Sequence, residues 1–160
     1  MYKVQKECTP KEDWGTKMKK ELKLYVHDQE SPPDIRNPIN LVGGNEYIIK
    51  VKAVKIETEP AVEAISPEVR HCLYAHENHL TLFERYSKTA CELECAVPRI
   101  LEECNCLPWD LIRRANLTAL PCIEGAFACP AKFLQGGLDL GCHCPLDCDR
   151  MKYTHSVQVR

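Results

Sequence analysis

An α+β fold follows from three patterns met in order along the chain. Apolar and polar residues alternate with period two in the first third. Cysteines and apolar residues then recur at three- and four-residue intervals, and alternation returns after the last cysteine.

The first alternating run, Glu21-Leu22-Lys23-Leu24-Tyr25-Val26-His27, predicts a half-buried strand. Ser31-Pro32-Pro33-Asp34, Asn37-Pro38 and Gly43-Gly44-Asn45 supply turn chemistry behind it. The run from Glu46 to Pro60 predicts a longer strand with Ile49, Val51 and Ala53 facing inward. Its apolar parity then shifts to Val54 and Ile56, which predicts a bulge or twist after Ala53. Between Lys88 and Cys104, the residues Ala90, Cys91, Cys95, Ile100 and Leu101 share much of one helical face, and Pro98 predicts a kink or a restart. Pro130 to Gln135 reads as a shorter helix stopped by Gly136-Gly137. The stretch between the two helices, with Pro108, Asn116 and Pro121, reads as a loop, and Met151 to Arg160 as a returning strand.

The chain has 160 residues, enough for one ordinary domain or two small ones with a real core. Its 21 basic and 23 acidic residues leave a formal charge of −2. That balance offers no footprint for nucleic acid and no polybasic face for a membrane surface, and Lys17, Lys19 and Lys20 read as a solvated stretch. No apolar run approaches the roughly eighteen residues that span a bilayer. The first twenty residues lack the apolar segment of a signal peptide, so the export signal is expected outside this chain, or the chain is a fragment or truncated product.

Cysteine is the outlying count. There are 11, of which Cys8 stands apart and the others fall between Cys72 and Cys148. Such density reads as a disulfide framework formed in an oxidising compartment. The acceptor Asn116-Leu117-Thr118 agrees with exposure to the secretory lumen. The spacings are C-x3-C at Cys91 and Cys95, C-x-C at Cys104 and Cys106, and C-x-C-x3-C at Cys142, Cys144 and Cys148. Two antiparallel helices would permit a nested ladder, but ten cysteines allow about 945 pairings and spacing alone selects none.

Zinc is the rival reading, with Cys142, His143 and Cys144 completed by Cys104 and Cys106. Structural zinc pairs favour wider gaps than the single residue found here, so no metal site is expected. Catalysis has less support. His71 and Cys72 are neighbours in sequence without a flanking protease motif, and Ser66 and Ser87 lack a nucleophile-elbow context. The chain therefore reads as a non-enzyme. Glu57, Glu59, Glu63 and Glu68 could attract cations, but they read as a solvated strand edge.

Three stretches carry a family resemblance: Tyr86-Ser87-Lys88-Thr89-Ala90-Cys91-Glu92-Leu93-Glu94-Cys95, then Ile100 through Trp109 with its Cys104-Asn105-Cys106, then Cys142-His143-Cys144-Pro145-Leu146-Asp147-Cys148 followed by Tyr153. In this order they resemble the degenerin/epithelial sodium channel/acid-sensing channel family, in an invertebrate, pickpocket-like form. Tyr25 to Pro33 is similar to that family's strand-plus-proline segment.

The resemblance implies five pairs: Cys72–Cys148, Cys91–Cys144, Cys95–Cys142, Cys104–Cys129 and Cys106–Cys122, with Cys8 unpaired. It implies antiparallel palm and β-ball strands over 1–70, a cysteine-rich two-helix thumb over 71–148, and a returning palm strand over 149–160. It also implies a homo- or hetero-trimeric sodium channel subunit gated by ligand or force, at the extracellular face of the plasma membrane. Na+ would be the permeant ion, no cofactor is needed, and the extracellular ligand or matrix partner is unknown. A soluble secreted interaction module with the same fold is the alternative. Two departures limit what is carried over, the first for coupling to a membrane helix and the second for proton gating. Val69 stands where acid-sensing members have a coupling aromatic, and their paired aspartates are replaced around Lys132 to Gln135.

Overall fold

The computed structural model describes residues 21–115, 118–123, 128–134 and 140–160. It is an α+β arrangement of three two-stranded sheets around a disulfide-linked helical unit.

Strand β1 (Glu21–Leu24) pairs antiparallel with β2 (Ile39–Val42). It ends at Leu24, short of the expected His27, because β2 offers only four partners. Beyond it the His27 Nδ1 lies 2.7 Å from the Asp28 carbonyl and 2.8 Å from that of Ser31, which closes a turn instead of extending a ladder. The Tyr47 hydroxyl accepts from Val42 N at 2.8 Å and donates to Val42 O at 3.1 Å, so it fastens the turn that contains Gly44. Gly44 sits at φ +94°, a conformation L side chains rarely adopt.

Strand β3 (Tyr47–Ile56) pairs antiparallel with β6 (Arg150–Val159) through ten consecutive partners, from Tyr47 opposite Val159 to Ile56 opposite Arg150. The register is uninterrupted, so the expected bulge after Ala53 is absent. Val54 and Ile56 instead point to the second face of the ribbon. That face is left largely to solvent, and Val54 is 40% exposed.

The connection after β3 forms a 3-10 turn (Pro60–Ala64) and a short helix α1 (Pro67–Arg70). Each begins with proline at its first positions, where the missing N–H costs nothing. Glu57, Glu59, Glu63 and Glu68 lie along this connection and not on a strand edge. Strand β4 (Cys72–Leu73) then pairs in parallel with β5 (Leu146–Asp147).

Helix α2 (Lys88–Cys104) starts at a side-chain cap, with Ser87 Oγ accepting from Ala90 N at 3.1 Å. It stops at Asn105, which adopts φ 53° and donates its N–H to Leu101 O. The helix runs through Pro98 without restarting. Pro98 and Arg99 are exposed, so the carbonyl freed one turn back can be hydrated. The buried face is Ala90, Ala96, Val97 and Ile100, while Cys91 and Cys95 sit at its half-buried margin.

The expected inter-helical loop contains a helix, α3 (Trp109–Ala115). The Pro108 carbonyl accepts from Leu111 N and Ile112 N, and both side chains are buried. Helix α4 (Ala128–Leu134) begins two residues ahead of Pro130 and packs on α2, while Gly136 and Gly137 lie outside the described residues. The core is Ala96, Val97, Ile100, Leu107, Leu111, Ile112 and Phe133.

Ile100 is fully buried at the centre of that cluster. Ile100→Ala is expected to cost about 2–5 kcal/mol, seen as a lower urea midpoint at unchanged m-value. Ser87→Ala should cost about 1 kcal/mol by loss of the cap.

Candidate functional site at the base of the disulfide ladder

The structure joins Cys72 to Cys148, Cys91 to Cys144, Cys95 to Cys142, Cys104 to Cys129 and Cys106 to Cys122. These are the pairs that the resemblance implies. Cys91–Cys144 and Cys95–Cys142 form antiparallel rungs between α2 and the returning segment, with Cα separations of 5.8 and 6.2 Å. Cys104–Cys129 ties the end of α2 to α4, and Cys106–Cys122 closes the far end. Cys72–Cys148 closes the base, across 76 residues of sequence. In the loop-entropy picture each closure stabilises by about 3–4.5 kcal/mol on its own, and nested rungs add less than that sum. Their larger effect is to remove internal freedom from the unit.

The base is where this unit meets the strands. Seven hydrogen bonds among the described residues converge there. Tyr86 donates its hydroxyl to Pro145 O at 2.7 Å, and its N–H goes to Ala75 O. The Asp147 carboxylate accepts from Lys88 N at 2.9 Å, at the first turn of α2, where an anion also suits the helix dipole. Cys148 N donates to Leu73 O at 3.0 Å, beside the Cys72–Cys148 bridge. One residue on, Asp149 accepts from Thr58 N at 2.8 Å and Thr58 Oγ1 at 3.0 Å, at the end of β3. The Thr58 hydroxyl also lies 2.7 Å from that of Tyr74.

Burial controls the electrostatics of this joint. Desolvation, with the nearby Asp147 and Glu92 charges, pushes the Tyr86 phenol up to about 12, so it stays a neutral donor. Desolvation also raises Asp147, against the amide of Lys88 and the charges of Arg150 and Lys88. The Arg70 guanidinium bonded to Glu77 holds that carboxyl below its usual range.

Arg70 forms a second knot that sequence reasoning missed. Its side chain is only 3% exposed. It donates to the carbonyls of Glu63, Ile65 and Cys72, pairs with Glu77 and lies over the Tyr74 ring at 4.8 Å. An arginine in a four-residue helix reads as solvated. No periodicity marks it as the fastener of the loop before the ladder.

Two surface ion pairs, Glu30 with Arg85 and Arg36 with Glu92, link the turn after β1 to the start of α2. Exposed pairs of this kind contribute little. An open cleft of about 800 Å³ lies between Tyr25–Ser31, β6 and the first turn of α2.

The remaining predicted positions are soon placed. Cys8 and Asn116 lie outside the described residues. Cys142 and Cys144 are consumed by disulfides, so the zinc alternative loses its thiolates, and Cys72 is bridged and cannot act as a nucleophile. Among the described residues no His/Cys/Asp/Glu group could hold a metal. Glu57 pairs with Lys55 and Glu63 with His76, and Val69 is 68% exposed. Among the described residues no helix is long and apolar enough to cross a membrane.

A cysteine-laddered helical unit clamped to an antiparallel ribbon is the setting in which comparison with known proteins becomes informative. The chain matches the amiloride-sensitive sodium channel family over residues 2–160 and belongs to it. Pickpocket protein 28 of Drosophila melanogaster is 33% identical over 93 residues, 58% of this chain and 15% of that protein. Sodium channel protein Nach of Drosophila ananassae is 26% identical over 145 residues, 86% of this chain and 27% of that protein. The Drosophila virilis Nach is 23% identical over 139 residues, 82% of this chain and 35% of that protein. The chain thus spans a minor part of each relative's length.

The two carboxyls predict opposite pH behaviour. Glu77 is lowered in the folded state, so its contribution is present above the unfolded value and is lost as pH falls through the folded one. Glu77→Gln should therefore flatten the acid limb of a stability–pH curve. Asp147 is raised, so the folded state holds its proton more tightly, and stability falls as pH rises from the ordinary carboxylate range through the raised value. Asp147→Asn should remove that decline. Denaturation followed from pH 3 to 7, about the usual carboxyl range, reads both.

Proposed function

We propose that this chain is an extracellular, pore-free portion of a sodium channel subunit, in which the cysteine-rich unit over 71–148 serves as a rigid thumb-like lever. Residues 21–70 and 149–160 are its palm-like mount. Ligand binding or force on the lever would pass through the joint at Tyr86, Asp147 and Cys72–Cys148 to strand β6, and from there toward a pore carried by other segments. In the parent protein the subunits would assemble as trimers in the plasma membrane and pass Na+.

The observation that carries this reading is the joint. A lever with five internal cross-links cannot bend to absorb a displacement, so motion must appear where it is mounted, as in a hinge transition between rigid bodies. Membership of the family supplies the sodium channel class, and the relatives are named as sodium channel and pickpocket proteins.

The test is a chimera in which this chain replaces the matching stretch of Drosophila ananassae Nach. An amiloride-sensitive sodium current at the cell surface is expected, with altered gating when Asp147→Asn or Tyr86→Phe is introduced. Surface delivery without current, or gating indifferent to both changes, would favour a secreted binding module instead.

A further inference from the structure

The two strands of the ribbon meet the base of the ladder unequally. Strand β6 starts at Arg150, directly behind Asp149 and the bridged Cys148. Strand β3 ends at Ile56, and the 3-10 turn and α1 lie between it and β4. Along the backbone, a displacement at Cys72–Cys148 therefore reaches β6 at once and β3 only through a long connection.

Side chains give β3 an attachment of its own. Thr58, just past the end of β3, has a hydroxyl with one proton to donate. It goes to Asp149 Oδ1 at 3.0 Å, because a carboxylate only accepts. The 2.7 Å contact between the Thr58 and Tyr74 hydroxyls is thereby given a direction, with Tyr74 donating and Thr58 accepting. Tyr74 is held in place to do so. Its N–H donates to Glu77 Oε2 at 2.8 Å, and its carbonyl accepts from Glu77 N at 3.1 Å. The Arg70 guanidinium lies over its ring, and the His76 ring stacks on it at 5.8 Å between centroids. The side chain is buried, and a phenylalanine would fill the same space. What tyrosine adds is the hydroxyl, and the hydroxyl reaches the end of β3.

We propose that Tyr74 is a positioning residue: through Thr58 it holds the end of β3 against the ladder base, so that the lever moves both strands of the ribbon together. Cys72 and Tyr74 flank Leu73 on the same short segment, so the bridge grips β6 from one side of it and the phenol grips β3 from the other. A pull on β6 alone would shear the ribbon at its Ile56–Arg150 end, whereas a pull on both strands carries that end as one body. That the lever is displaced rests on the channel reading; the link itself does not.

The test compares Tyr74→Phe, Thr58→Val and the double variant. In the oxidised chain, the amides of Ile56 and Thr58 should exchange about fivefold faster in each single variant, the effect of one net hydrogen bond. The double variant should be no faster than Thr58→Val alone, because the two hydroxyls form one link and an unpaired buried phenol is itself unfavourable. Unchanged exchange at both amides, or effects that add in the double variant, would overturn the proposal. In the Nach chimera, Tyr74→Phe and Thr58→Val should alter gating in the same sense at an unchanged amount of surface protein. Gating that responds to Asp147→Asn and ignores Tyr74→Phe would overturn the proposal and leave the channel reading standing. A chimera that carries no current counts against the channel reading alone, and the exchange result still decides the link.

Discussion

The Cys72–Cys148 bridge is the constraint on which the rest of this structure depends. It joins the residue that opens the ladder to the residue that closes it, across 76 positions. The parallel pair β4–β5 is two residues long, too short to hold alone, and it persists because the bridge fixes its strands side by side. With those strands in place, Asp147 reaches the first turn of α2, Tyr86 reaches Pro145, and Asp149 reaches the end of β3. Each hydrogen bond is worth only about 1 kcal/mol net, but together they define one relative position of the helical unit and the ribbon.

Rigidity is distributed unevenly as a result. The helical unit combines a packed core around Ile100 with the disulfide rungs, so local opening there must break apolar packing and still leave the chain tethered. The β3–β6 ribbon has ten residue pairs but little burial on either face, and two-stranded ribbons are marginal in water. A stiff element on a compliant ribbon is what the proposed displacement-transmitting role requires. The polar side chains at the junction divide this work: Ser87 caps its own helix, while Tyr86 and Arg70 satisfy backbone carbonyls of other segments.

Much of this was legible in the sequence. Period-two alternation located β3 and β6, and the spacing of Ala90, Cys91, Cys95, Ile100 and Leu101 located α2, because burial of one face imposes those periods. The pairing of cysteines was not readable from spacing, and family likeness carried it. Three features escaped for physical reasons. The helix at Trp109–Ala115 is too short to show a period and follows a proline that reads as a loop. The straight register through Ala53 was hidden because Val54 and Ile56 are apolar yet exposed or half-buried. The role of Arg70 depends on carbonyls from three separate positions, and such convergence leaves no local signature.

Native-state hydrogen exchange on the oxidised chain tests the central claim, a stiff cross-linked unit on a compliant ribbon, most directly. The account predicts that the amides of Ala96, Val97 and Ile100 in α2 exchange only by global unfolding. Those of Lys50, Lys52 and Thr154 in the ribbon should exchange by local opening at least about tenfold faster, in the low-stability range expected of weakly buried elements. Equal protection of helix and ribbon, or faster exchange in α2, would contradict it.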